Sequence, residues 1–137
     1  MGEQHFININ LEQVTDFAKS ESKEPVVMLN MIKYKAVVAE TGMTGKETYK
    51  EYMRQATPYF LKANAEIVFY GSPKHMLIGP EDDTLWDDVL IVKYNSVTDF
   101  MNMIMDKGYP SNLRAHALTD SRLIHCAPNQ KKVNQSN

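Results

Sequence analysis

The chain has 137 residues, a formal net charge of −2, 43% hydrophobic and 23% charged residues and a single cysteine. That length fits one domain better than two and can bury a core without a disulfide or metal staple. The charge balance has no basic stripe of the kind nucleic acid requires, one cysteine excludes an internal disulfide, and no apolar run approaches a membrane span, so a soluble cytoplasmic protein is expected.

Asn10 before Leu11, with Gln13 three residues on, has the form of a helix start. Leu11, Val14, Phe17 and Ala18 share the apolar face of that helix, and Lys19 to Pro25 reads as a loop. Val26 to Lys35 is the clearest strand. It is apolar on both alternating faces, with Asn30 as the exception, and a strand of that kind is covered on both sides. After a long connection through Gly42, Thr44 and Glu47 form a capping-box pattern. The helix that follows carries an apolar stripe of Tyr49, Tyr52, Met53, Ala56, Phe60 and Ala63, and Pro58 should kink it.

Glu66 to Tyr70 reads as a strand that resumes at His75 to Ile78 past a bulge at Gly71–Pro73. A turn at Gly79–Asp83 leads to a strand at Val89–Tyr94, again apolar on both faces. Ser96 and Asp99 repeat the capping-box pattern before a helix that Gly108 ends. A short helical piece runs from Tyr109 to about Leu118, the last strand covers Arg122 to Cys126, and a polar tail follows.

Without the first helix, the order is strand, helix, strand, strand, helix, strand. That is the split βαβ arrangement, a ferredoxin-like α+β fold with both helices on one face of an antiparallel sheet. The division expected is an N-terminal helix and linker (1–24), the α+β domain (25–128) and a C-terminal tail (129–137). Two helices cover only one sheet face, yet the central strands are apolar on both. The second face should therefore pack against its twin in a homodimer.

The segments "PVVMLNMIKYK", "YKEYMRQATPYFLKANAEIV", "LWDDVLIVKYNSVTDFMNMI" and "YPSNLRAHALTDSRLI", in that order, give the stretch Pro25 to Pro128 a resemblance to the dimeric α+β-barrel superfamily. Within it the chain resembles the domain-of-unknown-function family thirteen-thirty. The resemblance implies a ferredoxin-like protomer, a dimer whose two sheets close a barrel, and a small-molecule cavity between sheet and helices. It implies no single chemistry, because the superfamily holds cofactor-free monooxygenases, lactone isomerases, haem enzymes and binding domains.

Six residues are candidates for the site. Asn30 is a polar group in an apolar strand, fit to hold a substrate oxygen or to bond a neighbouring strand. Arg114 can grip a carboxylate, near Tyr109 in sequence, or pair with a surface acid. His116 and Tyr52 are the candidate proton-handling groups, and Trp86 could line a pocket or plug the sheet. The histidines and Cys126 lack metal-ligand spacing, and the acidic turn Glu81–Asp88 lacks the alternation of a calcium loop. No metal and no cofactor are expected. Two readings of function stay open: a cofactor-free enzyme for a small, partly apolar carbonyl or carboxylate compound, or a non-catalytic binding or structural dimer.

Overall fold

The structure is a computed structural model that describes residues 5–20, 24–81 and 84–129. Its elements in chain order are α1 (Leu11–Ala18), β1 (Val26–Tyr34), α2 (Gly45–Lys62), β2 (Glu66–Gly71), β3 (Asp88–Tyr94), α3 (Val97–Ile104), α4 (Ser111–Ala117) and β4 (Leu118–Cys126). The four strands form one antiparallel sheet in the order β2-β3-β1-β4. Four helices accompany it, an architecture consistent with a ferredoxin-like fold.

The helix starts follow from their caps. Asn10 Oδ1 accepts the Gln13 N–H at 3.1 Å, and Ser96 Oγ accepts that of Asp99 at 3.0 Å. At α2 the box is reciprocal: the Glu47 N–H donates to Thr44 Oγ1, and the Thr44 N–H donates to Glu47 Oε1. Pro58 does not end α2. It lies on the exposed side, where the carbonyl it leaves unbonded meets water. Asn64, with φ 56°, takes the left-handed turn that closes the helix.

Alternation along β1 and β3 sorts the core. Val26, Met28, Asn30 and Ile32 of β1 and Asp88, Leu90, Val92 and Tyr94 of β3 are buried beneath the helices. The core has two clusters. One gathers Met28, Leu90, Val92, Phe100 and Met103 under α3; the other gathers Ile32, Tyr49, Tyr52, Ala56 and Leu118 where α2 packs on α4. Asn30 stands on β1 between the two.

On the opposite face Val27, Leu29, Met31, Val89 and Ile91 are only half-buried, and Phe69 and Ile124 are exposed. The first helix does not cover them. α1 packs against α3, on the helix side, where Phe17 meets the rings of Phe100 and His125 edge-on at 5.5 and 4.9 Å. No residue of α1 is buried, and Leu11, expected on its apolar face, is 78% exposed.

Three expectations need correction. β2 ends at Gly71, its register shift falls between Ile67 and Phe69, and Ser72 to Ile78 is outside the ladder. β3 begins at Asp88, so no strand among the described residues faces the continuation, and Leu77 and Ile78 stand 92% and 96% exposed. The strand expected from Arg122 begins four residues earlier, at Leu118, because α4 passes into β4 without a loop. The third helix stops at Ile104, short of Gly108. Asp82, Asp83 and the tail from residue 130 lie outside the described residues. Among the described residues, no helix is long and apolar enough to cross a membrane.

Candidate functional site

The helix layer is broken between α3 and α4, at Gly108–Tyr109–Pro110, and the two core clusters do not close over the gap. A cavity of about 270 Å³ remains, walled by side chains from both. Such a volume is at the small end of ligand pockets, roughly 300–1,000 Å³. Met28, Leu90, Val92, Phe100 and Met103 supply its apolar wall; Asn30, Tyr49, Tyr52, Tyr94, Tyr109 and Arg114 supply its polar groups.

Each polar group is held by its element. Asn30 Nδ2 donates to the carbonyl oxygen of Leu90 across the ladder at 3.3 Å. That uses one of the amide's four hydrogen-bonding positions. Tyr52 from α2 and Tyr109 from the α3–α4 break share a hydrogen bond between hydroxyls. Burial raises both pKa values, that of Tyr109 to about 12. The pair is therefore neutral at ordinary pH and can donate a hydrogen bond, while burial makes loss of its proton harder. Burial raises Tyr49 and Tyr94 as well, and Arg114 pulls both the other way.

Arg114 projects from α4 into the cavity. Its Nη2 is buried and has no hydrogen-bond partner among the described residues. Among the described residues that line the cavity, only Arg114 carries a full charge.

The sequence reading placed Asn30, Tyr52, Tyr109 and Arg114 as site residues, and the structure brings these four together. His116 and Trp86 are elsewhere. Two residues along a helix amount to about 200° of rotation, so His116 is exposed while Arg114 faces inward. Trp86 is on the other side of the sheet, with Lys33 Nζ 5.0 Å and the Arg122 guanidinium 5.2 Å from its ring. Tyr49 and Tyr94 were not singled out, because a tyrosine in an apolar stripe reads as core. The available signal was their hydroxyls, which need partners when buried.

Asp87 and Asp88, at the end of the acidic turn, hold backbone and side chains in place. Asp87 accepts the Tyr34 N–H at 2.8 Å, and Asp88 accepts the hydroxyls of Tyr34 and Ser72. Among the described residues, no three His, Cys, Asp or Glu side chains group as metal ligands do.

A strap from the N-terminus roofs the cavity. Ile7, Asn8 and Ile9 line it and also a wider groove of about 670 Å³ that runs on between α1 and β4. Phe6 fastens the strap: its N–H donates to Asp120 Oδ1 at 2.9 Å, its carbonyl accepts Ser121 Oγ–H at 2.8 Å, and Arg122 lies 4.9 Å from its ring. Burial pushes the Asp120 pKa up. The Phe6 N–H, Arg122 and the Ser121 N–H outweigh it and hold the pKa below the usual carboxylate range.

The clasp thus adds stability that is complete above about pH 4, the ordinary Asp value, and is lost as pH falls through the depressed folded value. Asp120→Asn should cost about 1.5 kcal/mol at pH 7. The urea midpoints of the two proteins should converge in acid; a gap that stays constant down to pH 2 would remove Asp120 from this role.

The fold and cavity together define a mixed α+β protein with a small pocket between helices and sheet. Its relatives among solved structures have the same fold. RPA0582, a protein of unknown function from Rhodopseudomonas palustris solved as a structural genomics target, superimposes with a TM-score of 0.84 at 33% sequence identity, over 93% of this chain and 99% of that one. The structure of methylated RPA0582 gives a TM-score of 0.83 at 32% identity, over 93% and 97%. The chain belongs to the same family as this Rhodopseudomonas palustris protein. No protein-family model matches the chain, and none of the curated proteins matches it.

Proposed function

We propose that the protein is a homodimeric α+β-barrel protein, of the domain-of-unknown-function thirteen-thirty type, whose cavity takes a small, partly apolar carbonyl or carboxylate compound. One observation carries the ligand: a guanidinium nitrogen of Arg114 is buried without a partner among the described residues, in a cavity otherwise walled by apolar groups, amides and neutral hydroxyls. The split βαβ plan, with residues 25–128 as the barrel domain, 1–24 as an added strap and helix, and 129–137 as a tail, agrees with the strand order and with the cavity's place on the helix side. The dimer is supported by the half-buried apolar face across the sheet, which α1 leaves open.

Within this reading Arg114 and Asn30 orient the ligand, and the neutral Tyr52–Tyr109 pair donates to its oxygen. As an enzyme without a cofactor, the protein would use that pair as the acid. The alternative, a non-catalytic binding protein, is favoured by the absence of His116 from the cavity, which leaves no evident base there.

The test is a thermal-shift screen with small partly apolar carboxylates and ketones, repeated on Val92→Phe, which fills the cavity. Compounds of this class should raise Tm in the native protein and lose their effect in Val92→Phe. Stabilisation that persists in Val92→Phe would place binding elsewhere.

A further inference from the structure

This inference rests on the proposed cavity and narrows its ligand: we infer that the site takes a monoanion, a small apolar carboxylic acid bound with its carboxylate on Arg114, and not a neutral carbonyl compound. Arg114 is partly buried, and a guanidinium nitrogen withdrawn from water is costly unless an anion or another acceptor meets it. Its Nη2 has no partner, and the cavity lining contains no aspartate or glutamate. Asp16 and Arg122 line the wider groove with it, but no ion pair joins Asp16 to Arg114, and Arg122 is taken by Asp120 at 2.7 Å.

The tyrosine hydroxyls around Arg114 do not supply the missing charge, because burial holds them neutral. One uncompensated positive charge among apolar side chains, amides and neutral hydroxyls selects one negative charge. A carboxylate suits the planar fork, which can give it two parallel hydrogen bonds. A dianion such as phosphate would bury a second charge with nothing to meet it. Met28, Val92, Phe100 and Met103 then enclose the body of the acid, which should be apolar or aromatic.

The test compares benzoate with benzamide, which has nearly the same shape and no charge, on the full chain. In the native protein benzoate should raise Tm and benzamide should not. Arg114→Met should lose the benzoate response, at least about tenfold in affinity. It should also melt higher than the native protein when no ligand is present, because an unpaired buried charge has been replaced by an apolar chain of similar reach. Arg114→Lys should fold and retain part of the response, through charge without the fork.

Equal protection by benzamide would overturn the inference and leave the cavity reading standing. A lower Tm for ligand-free Arg114→Met would overturn it too, since the guanidinium would then be holding the fold. If neither compound acts, the inference falls; if Arg114→Met is then also less stable, the cavity reading falls with it.

Discussion

Gly45→Ala should destabilise the fold by about 3 kcal/mol or more, enough to leave the variant largely unfolded if the native margin is ordinary. Gly45 opens α2 and is buried where three segments meet. Its N–H donates to the Lys35 carbonyl at 2.9 Å, and the Lys35 N–H donates to that of Ala117 at 2.9 Å. A Cβ at this position would stand 2.4 Å from the Ala117 carbonyl oxygen and 2.5 Å from the backbone of Lys35. All three contacts are with backbone, so no side chain can swing away. Relief requires parting β1 from the α4–β4 junction, which also carries Arg114 into the cavity. Chemical denaturation measures the cost, and a ΔΔG under about 1 kcal/mol would mean the junction yields more easily than its hydrogen bonds indicate.

Ile91→Lys should convert the proposed dimer to a monomer without disturbing the protomer. Ile91 is at the middle of the uncovered sheet face, opposite Leu29 on one side and Phe69 on the other. In a lone protomer the lysine ammonium reaches water at little cost. In a twofold dimer the same change buries a charge in each half, about 3–5 kcal/mol apiece, and weakens association by a factor of about ten thousand or more. Light scattering after size exclusion should give twice the chain mass for the native protein and one chain mass for Ile91→Lys, with unchanged circular dichroism. A native protein that is monomeric at micromolar concentration would contradict the dimer and leave the cavity untouched, because the two are on opposite faces of the sheet.

Much of the architecture was legible because local signals and burial agree. The caps at Asn10, Thr44 and Ser96 mark three helix starts, and two-sided apolar alternation marks β1 and β3 as the central strands. The errors fall where a segment's state depends on a distant partner. His75 to Ile78 has strand composition, but no strand among the described residues faces it. The helical piece reads to about Leu118 and the strand only from Arg122, yet Tyr34, Lys33 and Ile32 of β1 pair with Leu118, Asp120 and Ser121.

The site was legible in part for the same reason. Asn30 and Arg114 stand out as polar groups among apolar neighbours. Tyr49 and Tyr94 hide in apolar stripes, since a phenol ring packs as core while its hydroxyl works at the far end. His116 drew attention through its chemistry alone, and the rotation of a short helix decided that it faces water.

Native mass spectrometry of freshly purified protein, run beside Arg114→Met, tests the cavity's occupant without choosing a compound beforehand. The native chain should carry a small organic acid, released on denaturation, and Arg114→Met should be free of it. A co-purified molecule that is uncharged, or one retained equally by Arg114→Met, would contradict a site built around that guanidinium.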